Sequence, residues 1–364
     1  MFSITGKALS DAFKAANQAV LPRSPLPAFT HVRILARADG ESVSFIGSNG
    51  HVTVCANAEA TLDGDVDLCL PADKLNALCG LGADSVHFTS DKGRFVARAG
   101  RTRMTLQTLP GDSFPMPKLE GEPKAIFEAQ GLTDMIDTVA FAIADAKRVD
   151  RPMLRNLWIE SDGEVAHLVG ADGLTLATNM CSITPTSFGE RVPAFGIAIP
   201  EASAAILGNI GADHFEIYEG HLKARGGNVQ TIVAIHPGTY VDWKRIIPNP
   251  DQFVTFSRAD LTTVCPLHRV FDNIGAIRVE QDGRLCSLSI SGDAQSVEAD
   301  LELKQCSEES HLEAAFVGKQ LLRLLSQVKT DDVSISWSQP KEGPPFVYLM
   351  QDGSWRGLLM PLRV

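Results

Sequence analysis

The sequence has no long hydrophobic run. No stretch of about 18 consecutive apolar residues occurs, so no membrane-spanning helix is predicted. The first residues, Met1 to Lys7, do not combine a charged segment with an apolar one, so no signal peptide is predicted. We therefore expect a soluble, cytoplasmic protein.

The sequence also lacks the motifs that carry chemistry in many enzymes. None of H-E-x-x-H, G-x-x-x-x-G-K-[ST], G-x-S-x-G or a G-x-G-x-x-G between a strand and a helix is present. The seven cysteines form no C-x-x-C pair and lie mostly in apolar runs, which is typical of buried thiols in a reducing compartment. The nearest histidines, His214 and His221, have no third ligand beside them. We expect no catalytic site, metal or cofactor.

Composition and length set the frame for what is present. Hydrophobic residues make up 44% and charged residues 21%, which is ordinary for a globular protein, and 364 residues suggest two or three domains. The net charge of −11 argues against a protein that coats nucleic acid over its whole surface, but a local basic patch remains compatible with it.

The chain contains three copies of a strand followed by a helix. The copies begin at Phe2, Phe127 and Phe253, and their helical patterns begin at Leu9, Leu132 and Leu261, which are 123 and 129 residues apart. The apolar positions at helical spacing are Leu9, Phe13, Ala16 and Val20; Leu132, Ile136, Val139 and Ile143; and Leu261, Cys265, His268 and Phe271. This periodicity indicates an internal triplication.

A second pattern, a helix followed by three short strands, also recurs in each copy and agrees with the triplication. A helix opens near Pro71, Pro200 and Val317, and three short strands separated by tight turns come after it. Asp-Gly and Asn-Gly pairs punctuate the strands between the two helices, as hairpin turns require. Each copy therefore predicts an α+β domain with two helices on one side of roughly six or more strands.

Linkers and charge divide the chain in the same way. Proline-rich stretches near residues 115–123 and 246–250 predict domains at 1–120, 121–245 and 246–364. The first domain has 12 basic and 12 acidic residues, the second 10 and 16, and the third 11 and 16. Several basic residues nevertheless lie on or beside the repeated helices: Lys14, Lys74, Lys147, Arg148, Arg151, Arg269, Lys319, Arg323 and Lys329.

Five segments together resemble the beta subunit of bacterial DNA polymerase III, the sliding clamp. They are residues 23–27 (RSPLP), 100–110 (GRTRMTLQTLP), 171–177 (ADGLTLA), 240–248 (YVDWKRIIP) and the terminal 359–364 (LMPLRV). The Met-Pro-apolar-Arg-apolar end is the most specific of these segments. The resemblance covers nearly the whole chain.

The resemblance implies a function as well as a fold. Two three-domain subunits would form a head-to-tail homodimeric ring, with helices lining the hole and sheets outside. Such a ring would encircle double-stranded DNA without sequence specificity and act as a non-catalytic processivity factor in DNA replication. The implied protein partners are the replicative polymerase, the clamp loader and other proteins with clamp-binding motifs.

The resemblance also assigns residues to three surfaces. The predicted DNA contacts are Arg23, Arg148 and Arg151. The basic helix residues Lys74, Lys319 and Arg323 are predicted to contact DNA as well. The dimer seam falls to Met104, Leu106 and Phe271, although strand alternation also allows the first two to be core residues. A cleft for apolar peptides falls to Leu154, Gly173, Leu174, Thr175, Leu176, Val241, Arg245, Ile246, Leu358, Met360, Pro361, Leu362 and Arg363.

Departures from the family and rival functions bear on this interpretation. Family members often have His-Arg where this chain has Leu174-Thr175, which predicts a more apolar cleft floor.

One alternative function is a β-rich adaptor that binds proteins without encircling DNA. Another is a hydrolase with carboxylates hidden among the turn aspartates, but such a site would break the triple repeat, and no domain carries unmatched polar residues.

Overall fold

The structure is a computed structural model that describes residues 1–91, 94–145, 151–186, 191–236, 238–270, 275–291 and 295–362. Three consecutive segments of the chain fold in the same way, and we call them the first, second and third repeat. In the described segments, no helix is long and apolar enough to cross a membrane.

The first repeat contains helices α1 (Gly6–Asn17) and α2 (Ala72–Cys79). Its strands are β1 (Phe2–Thr5), β2 (His31–Ala36), β3 (Ser42–Ser48), β4 (Val52–Glu59), β5 (Thr61–Leu62), β6 (Val66–Pro71), β7 (Ser85–Asp91), β8 (Arg94–Ala99), β9 (Thr102–Leu106) and β10 (Leu109–Pro110).

The second repeat contains helices α3 (Leu132–Ala140) and α4 (Glu201–Gly208). Its strands are β11 (Ala125–Glu128), β12 (Asn156–Ser161), β13 (Val165–Ala171), β14 (Thr175–Ser182), β15 (Thr184–Pro185), β16 (Phe195–Pro200), β17 (His214–Tyr218), β18 (His221–Gly226) and β19 (Val229–Ala234).

The third repeat contains helices α5 (Arg258–Val264) and α6 (Gly318–Leu325). Its strands are β20 (Gln252–Ser257), β21 (Ala276–Asp282), β22 (Leu285–Ser291), β23 (Ser296–Glu302), β24 (Gln305–Cys306), β25 (Glu313–Val317), β26 (Asp332–Trp337), β27 (Tyr348–Asp352) and β28 (Trp355–Leu359).

The three repeats have one strand order. One half-sheet runs β5-β1-β7-β8-β9 in the first repeat, β15-β11-β17-β18-β19 in the second and β24-β20-β26-β27-β28 in the third. The other half-sheet runs β6-β2-β3-β4, β16-β12-β13-β14 and β25-β21-β22-β23. The predicted α+β class is confirmed, since two helices in each repeat accompany antiparallel sheets.

Sheets continue from one repeat into the next at two seams. Strand β4 of the first repeat pairs with β19 of the second, and β14 of the second pairs with β28 of the third. Both pairings are antiparallel, and they merge half-sheets of neighbouring repeats into longer sheets. Each repeat keeps its own apolar core between helices and sheet, centred on residues such as Phe13, Ile136 and Leu324.

Glycine lets the first helix of a repeat lie directly on a strand. A Cβ atom at Gly47 of β3 would lie 2.0 Å from the Ala16 carbonyl oxygen of α1, and one at Gly170 of β13 would lie 2.3 Å from the Val139 oxygen of α3. The equivalent position of β22 is Ile290, which is fully buried.

The third repeat departs from the predicted helical pattern at that place. The pattern Leu261, Cys265, His268 and Phe271 predicts one continuous helix, but α5 ends at Val264 and a 3-10 helix follows over Cys265–Val270. Ile290 carries a side chain where the other two repeats have glycine, so the helix backbone cannot lie directly on β22 as it does on β3 and β13. Phe271 lies outside the described residues.

Replacing Gly170 with alanine tests this packing. We expect a loss of about 2 to 3 kcal/mol of unfolding free energy, because the added methyl group must displace the helix backbone. The midpoint of a urea titration followed by circular dichroism measures it. Gly80→Ala is the matched control: its new Cβ meets atoms at 3.4 and 3.5 Å, so a change below about 1 kcal/mol is expected. Equal effects for both variants would contradict the packing argument.

Candidate functional site

A mostly apolar cavity of about 140 Å³ lies at the seam between the second and third repeats. Its walls come from strand ends on both sides of the seam and from the segment that connects the two repeats. The lining residues are Arg151, Leu154, Ala171, Gly173, Leu174, Thr175, Leu176, Val241, Ile246, Val347, Leu358 and Met360.

Strand pairing across the seam brings the apolar side chains together. Leu176 of β14 lies opposite Leu358 of β28, and both are buried. Beyond the end of β28, the Met360 amide donates to the Leu174 carbonyl oxygen at 2.8 Å, so the same register continues for one more residue on each strand. Leu174 itself is 47% exposed, which makes it an accessible apolar contact at the cavity rim.

The turn that carries Leu174 is held by its aspartate. Asp172 Oδ1 accepts hydrogen bonds from the amides of Leu174 and Thr175 at 2.9 and 2.7 Å, while Gly173 supplies the positive φ of 92° that the turn requires. Gln320 of α6 donates to Asp172 Oδ2 at 3.0 Å. The turn is therefore fixed from both sides of the seam.

The connecting segment forms the third wall. Its 3-10 helix Trp243–Ile246 buries Trp243, and Tyr240 stacks on Trp158 with 5.4 Å between ring centroids. Lys244 Nζ lies 2.9 Å from Glu160 Oε1. Burial pushes the pKa of Glu160 upward, but hydrogen bonds from Trp158 and Lys244 outweigh it and hold that pKa below its usual value. The Lys244–Glu160 ion pair and the Tyr240–Trp158 stacking thus hold the segment against β12.

Most of the predicted cleft residues meet in this cavity. Those that line it are Leu154, Gly173, Leu174, Thr175, Leu176, Val241, Ile246, Leu358 and Met360. Arg245 is not among the lining residues; its side chain is 84% exposed, and its Nε lies 3.8 Å from Asp242 Oδ2. Pro361 and Leu362 are not among the lining residues, and the Leu362 amide bonds to Ala315. Arg363 lies outside the described residues.

The cavity includes three residues that the sequence did not assign to it. Ala171 precedes the Asp172-Gly173 turn and shares a face with Leu176, so its place follows from strand pairing rather than from a motif. Val347 precedes β27 next to Phe346, which is 77% exposed, and no sequence motif marks it as a cavity residue. Arg151, predicted as a DNA contact, lines the cavity at its rim.

The other predicted DNA contacts lie on exposed surfaces. Lys319 and Arg323 are exposed on α6, four residues apart and on one face. Arg323 also donates to the Phe141 carbonyl oxygen at 3.1 Å, so it ties α6 to the second repeat. Lys74 is exposed on α2, and Arg23 lies in an exposed loop. Arg148 lies outside the described residues.

Two of the three predicted dimer residues, Met104 and Leu106, lie on strand β9, and Phe271 lies outside the described residues. Met104 is half-buried, whereas Leu106 is 5% exposed and packs in the core of the first repeat, as strand alternation allowed. On its outer side β9 has no strand partner within the described part of the chain. Among the described residues, no three His, Cys, Asp or Glu side chains cluster in a way that could hold a metal ion.

Curated relatives match the whole chain, although no family model does. A beta sliding clamp from Pseudomonas aeruginosa is 24% identical over 376 residues, with 100% of both chains covered. A beta sliding clamp from Caulobacter vibrioides is 24% identical over 384 residues, covering 100% of this chain and 99% of the relative.

Solved structures agree with these relatives. A sliding clamp (DNA polymerase III subunit beta) from Pseudomonas aeruginosa superposes with a TM-score of 0.87 at 22% identity, covering 100% of this chain and 99% of that one. A DNA polymerase III beta subunit from Thermotoga maritima superposes with a TM-score of 0.86 at 19% identity, with the same coverage. This chain is therefore similar over its full length, in sequence and in fold, to the bacterial beta sliding clamps, as its sequence indicated.

Proposed function

We propose that this chain is a non-catalytic DNA sliding clamp: a head-to-tail homodimer whose subunits each contribute domains 1–120, 121–245 and 246–364 to a closed ring. The observation that carries the proposal is a pair of unused strand edges. Strands β4, β14 and β23 are equivalent in the three repeats, as are strands β9, β19 and β28. At each seam a strand of the first set pairs with a strand of the second set from the next repeat: β4 with β19, and β14 with β28. Within the described residues, β23 of the first set and β9 of the second each have one edge with no strand partner.

The two seams share one register, which predicts how the free edges meet. Gln230, the second residue of β19, lies opposite Cys55, and its counterpart Arg356 in β28 lies opposite Thr178, the equivalent of Cys55. The same register places Arg103 opposite Glu298 of the partner subunit and Met104 opposite Val297 of the partner subunit. Opposite residues of an antiparallel pair share a face, so these are side-chain contacts.

The burial of both strands agrees with that register. Met104 and Val297 are half-buried and belong to the inward faces of their strands, while Arg103 and Glu298 are exposed on the outward faces. The joint would therefore combine an apolar pair inside with an opposite-charge pair outside. A shift by one residue would turn both strands over and lose both matches.

Charge favours head-to-tail joining over pairing of like edges. Arg101 and Arg103 lie at the β9 edge, whereas Glu298, Asp300 and Glu302 lie along β23. Two β9 edges or two β23 edges would place like charges against one another, which destabilises a sheet. A heterologous contact that closes on itself yields a ring.

The proposed ring holds DNA by topology. Its helices would face the duplex, and exposed cations such as Lys74, Lys319 and Arg323 would contact phosphates without reading sequence. The first domain is neutral, and the acidic residues of the other two domains would discourage DNA binding elsewhere on the ring. The protein would act in the cytoplasm.

The cavity at the second seam is the proposed docking site for partner proteins. Apolar side chains of an extended peptide would fill the space between Leu174, Leu358 and Met360, and buried apolar anchors commonly supply most of the binding energy. The replicative polymerase and the clamp loader are the expected sources of such peptides.

Mass in solution and retention on DNA test the ring together. We expect a particle of twice the 39.2 kDa chain mass that, once loaded, stays on nicked circular DNA and leaves after the DNA is linearised. Gel filtration with light scattering gives the mass, and filtration of loaded DNA through a large-pore resin gives the retention. Equal retention on circular and linear DNA would contradict encirclement, and a protein that binds partner peptides but never stays on circles would be the adaptor instead.

A further inference from the structure

A second cavity, of about 160 Å³, lies at the seam between the first and second repeats. Its walls include Ser48 and His51 of the first repeat, His221 and Ile232 of the second, and Met116 of the segment that connects them. These elements are the counterparts of those that form the cavity at the second seam.

The two cavities correspond residue by residue. The Ala234 amide donates to the His51 carbonyl oxygen at 2.8 Å, as the Met360 amide donates to the Leu174 oxygen at 2.8 Å. Asn49 Oδ1 accepts from the amides of His51 and Val52 at 2.9 and 2.8 Å, which is the role of Asp172 in the other turn. The neighbouring glycines, Gly50 and Gly173, have φ of 88° and 92°.

Equivalent backbone positions in the two cavities carry different side chains. Hairpin registers make His51 the counterpart of Leu174, and His221 the counterpart of Val347. In the same way Ser48 replaces Ala171 and Thr53 replaces Leu176. The row Leu174, Met360 and Val347 at the second seam is thus the row His51, Ala234 and His221 at the first.

Among the described polar side chains of this wall, the imidazoles are the groups left to bond a ligand. The hydroxyls of Ser48 and Thr53 bond to each other at 2.8 Å. His221 Nδ1, in contrast, is buried and has no hydrogen-bond partner among the described residues. Unsatisfied buried polar atoms are uncommon and call for a partner.

The two histidines are spaced to hold one group between them. His51, Ala234 and His221 lie in one row across three adjacent strands. Adjacent strands are about 4.8 Å apart, so the two histidine backbones are separated by roughly 10 Å, with the small Ala234 methyl between them. His51 and His221 both line the cavity, and each imidazole can offer an N–H donor, so the pair suits a carboxylate, which accepts strong charge-assisted hydrogen bonds.

We propose that this cavity is a second docking site, which takes an extended peptide with an acidic side chain placed between His51 and His221. Met116 and Ile232 would cover the aliphatic stem of that side chain. The inference rests on the proposed function in one respect, because it takes the equivalent cavity at the second seam to be a peptide site.

The test titrates the full-length protein, isotope-labelled at histidine rings and methionine methyls, with Ac-Gly-Leu-Glu-Leu-Gly-NH2 and with its Gln analogue. The Glu peptide is expected to shift the ring signals of His51 and His221 and to bind roughly tenfold more tightly there than the Gln peptide. The His167 ring lies on β13, away from this cavity, and should not respond. Replacing the histidines with the residues of the other seam, H51L/H221V, should abolish the preference for Glu. His51→Leu alone, at an exposed position, covers the case in which the double variant does not fold.

The same titration separates this inference from the proposed function. The Met360 methyl group reports on the cavity at the second seam, which should accept both leucine-containing peptides. If Met360 responds and the two histidines do not, the second docking site is wrong and the first stands. If the histidines respond equally to Glu and Gln peptides, the acidic ligand is wrong. If neither site responds at millimolar peptide, both assignments fail.

Discussion

Replacing Arg103 with glutamate is expected to convert the dimer into monomers, and adding Glu298→Arg to the same chain is expected to restore it. In the proposed ring, a joint with the register of the two seams within the chain would place these side chains opposite each other. Reversing one charge turns an attraction into a repulsion, a change of about 1 to 2 kcal/mol at each exposed joint. Because a ring contains two such joints, its dissociation constant should rise roughly a hundredfold.

Sedimentation across a dilution series measures this change, and retention on circular DNA reports its functional result. Arg94→Glu is the matched control, because Arg94 is an exposed arginine of β8 that does not lie on the free edge, so its dimer should remain intact. The double variant distinguishes a specific pair from a general effect of added negative charge. A monomeric R103E/E298R protein would show that the register of the joint is different.

Deleting residues 360–364 is expected to abolish binding of apolar partner peptides and to leave the dimer unchanged. Met360 lines the cavity, and the Leu362 amide holds the tail to Ala315, so the deletion removes one wall. Loss of one buried methionine contact alone weakens binding roughly tenfold to a hundredfold. The tail is not part of strands β9 and β23, so the particle mass should not change.

Fluorescence anisotropy of a labelled apolar pentapeptide measures the loss. Leu81→Ala provides the control, because Leu81 is also an exposed leucine, at 47%, but lies after α2 and outside the cavity. Its peptide affinity should equal that of the unmodified chain. Survival of peptide affinity after the deletion would show that the cleft is assigned to the wrong surface.

The triple repeat could be predicted from the sequence because its helices and central strands carry strong periodic patterns. The two-residue edge strands β5, β15 and β24 could not, since two residues contain no period. The break after α5 was missed for a different reason. Cys265 and His268 continue the helical spacing, and the Ile290 side chain that prevents a close helix is supplied by a distant strand.

The candidate site divides in the same way. The apolar tail and the turn at Gly173 are local signals, and the resemblance to the clamp family attached them to one cleft. The second cavity carries no such signal, because Ser48, His51 and His221 belong to no shared motif and are brought together only when strand β4 pairs with β19. Which strand edges join is a property of the assembled sheets, and neither hairpin alone contains it.

The common register of the seams has a mechanical consequence. The two seams within a chain are tethered by a continuous backbone, so a broken seam re-forms against a partner held at high effective concentration. A joint built from β9 and β23 of separate chains has the same pairing but no tether. Under load or dilution that joint would yield first, so the proposed ring would open where the two chains are not covalently connected.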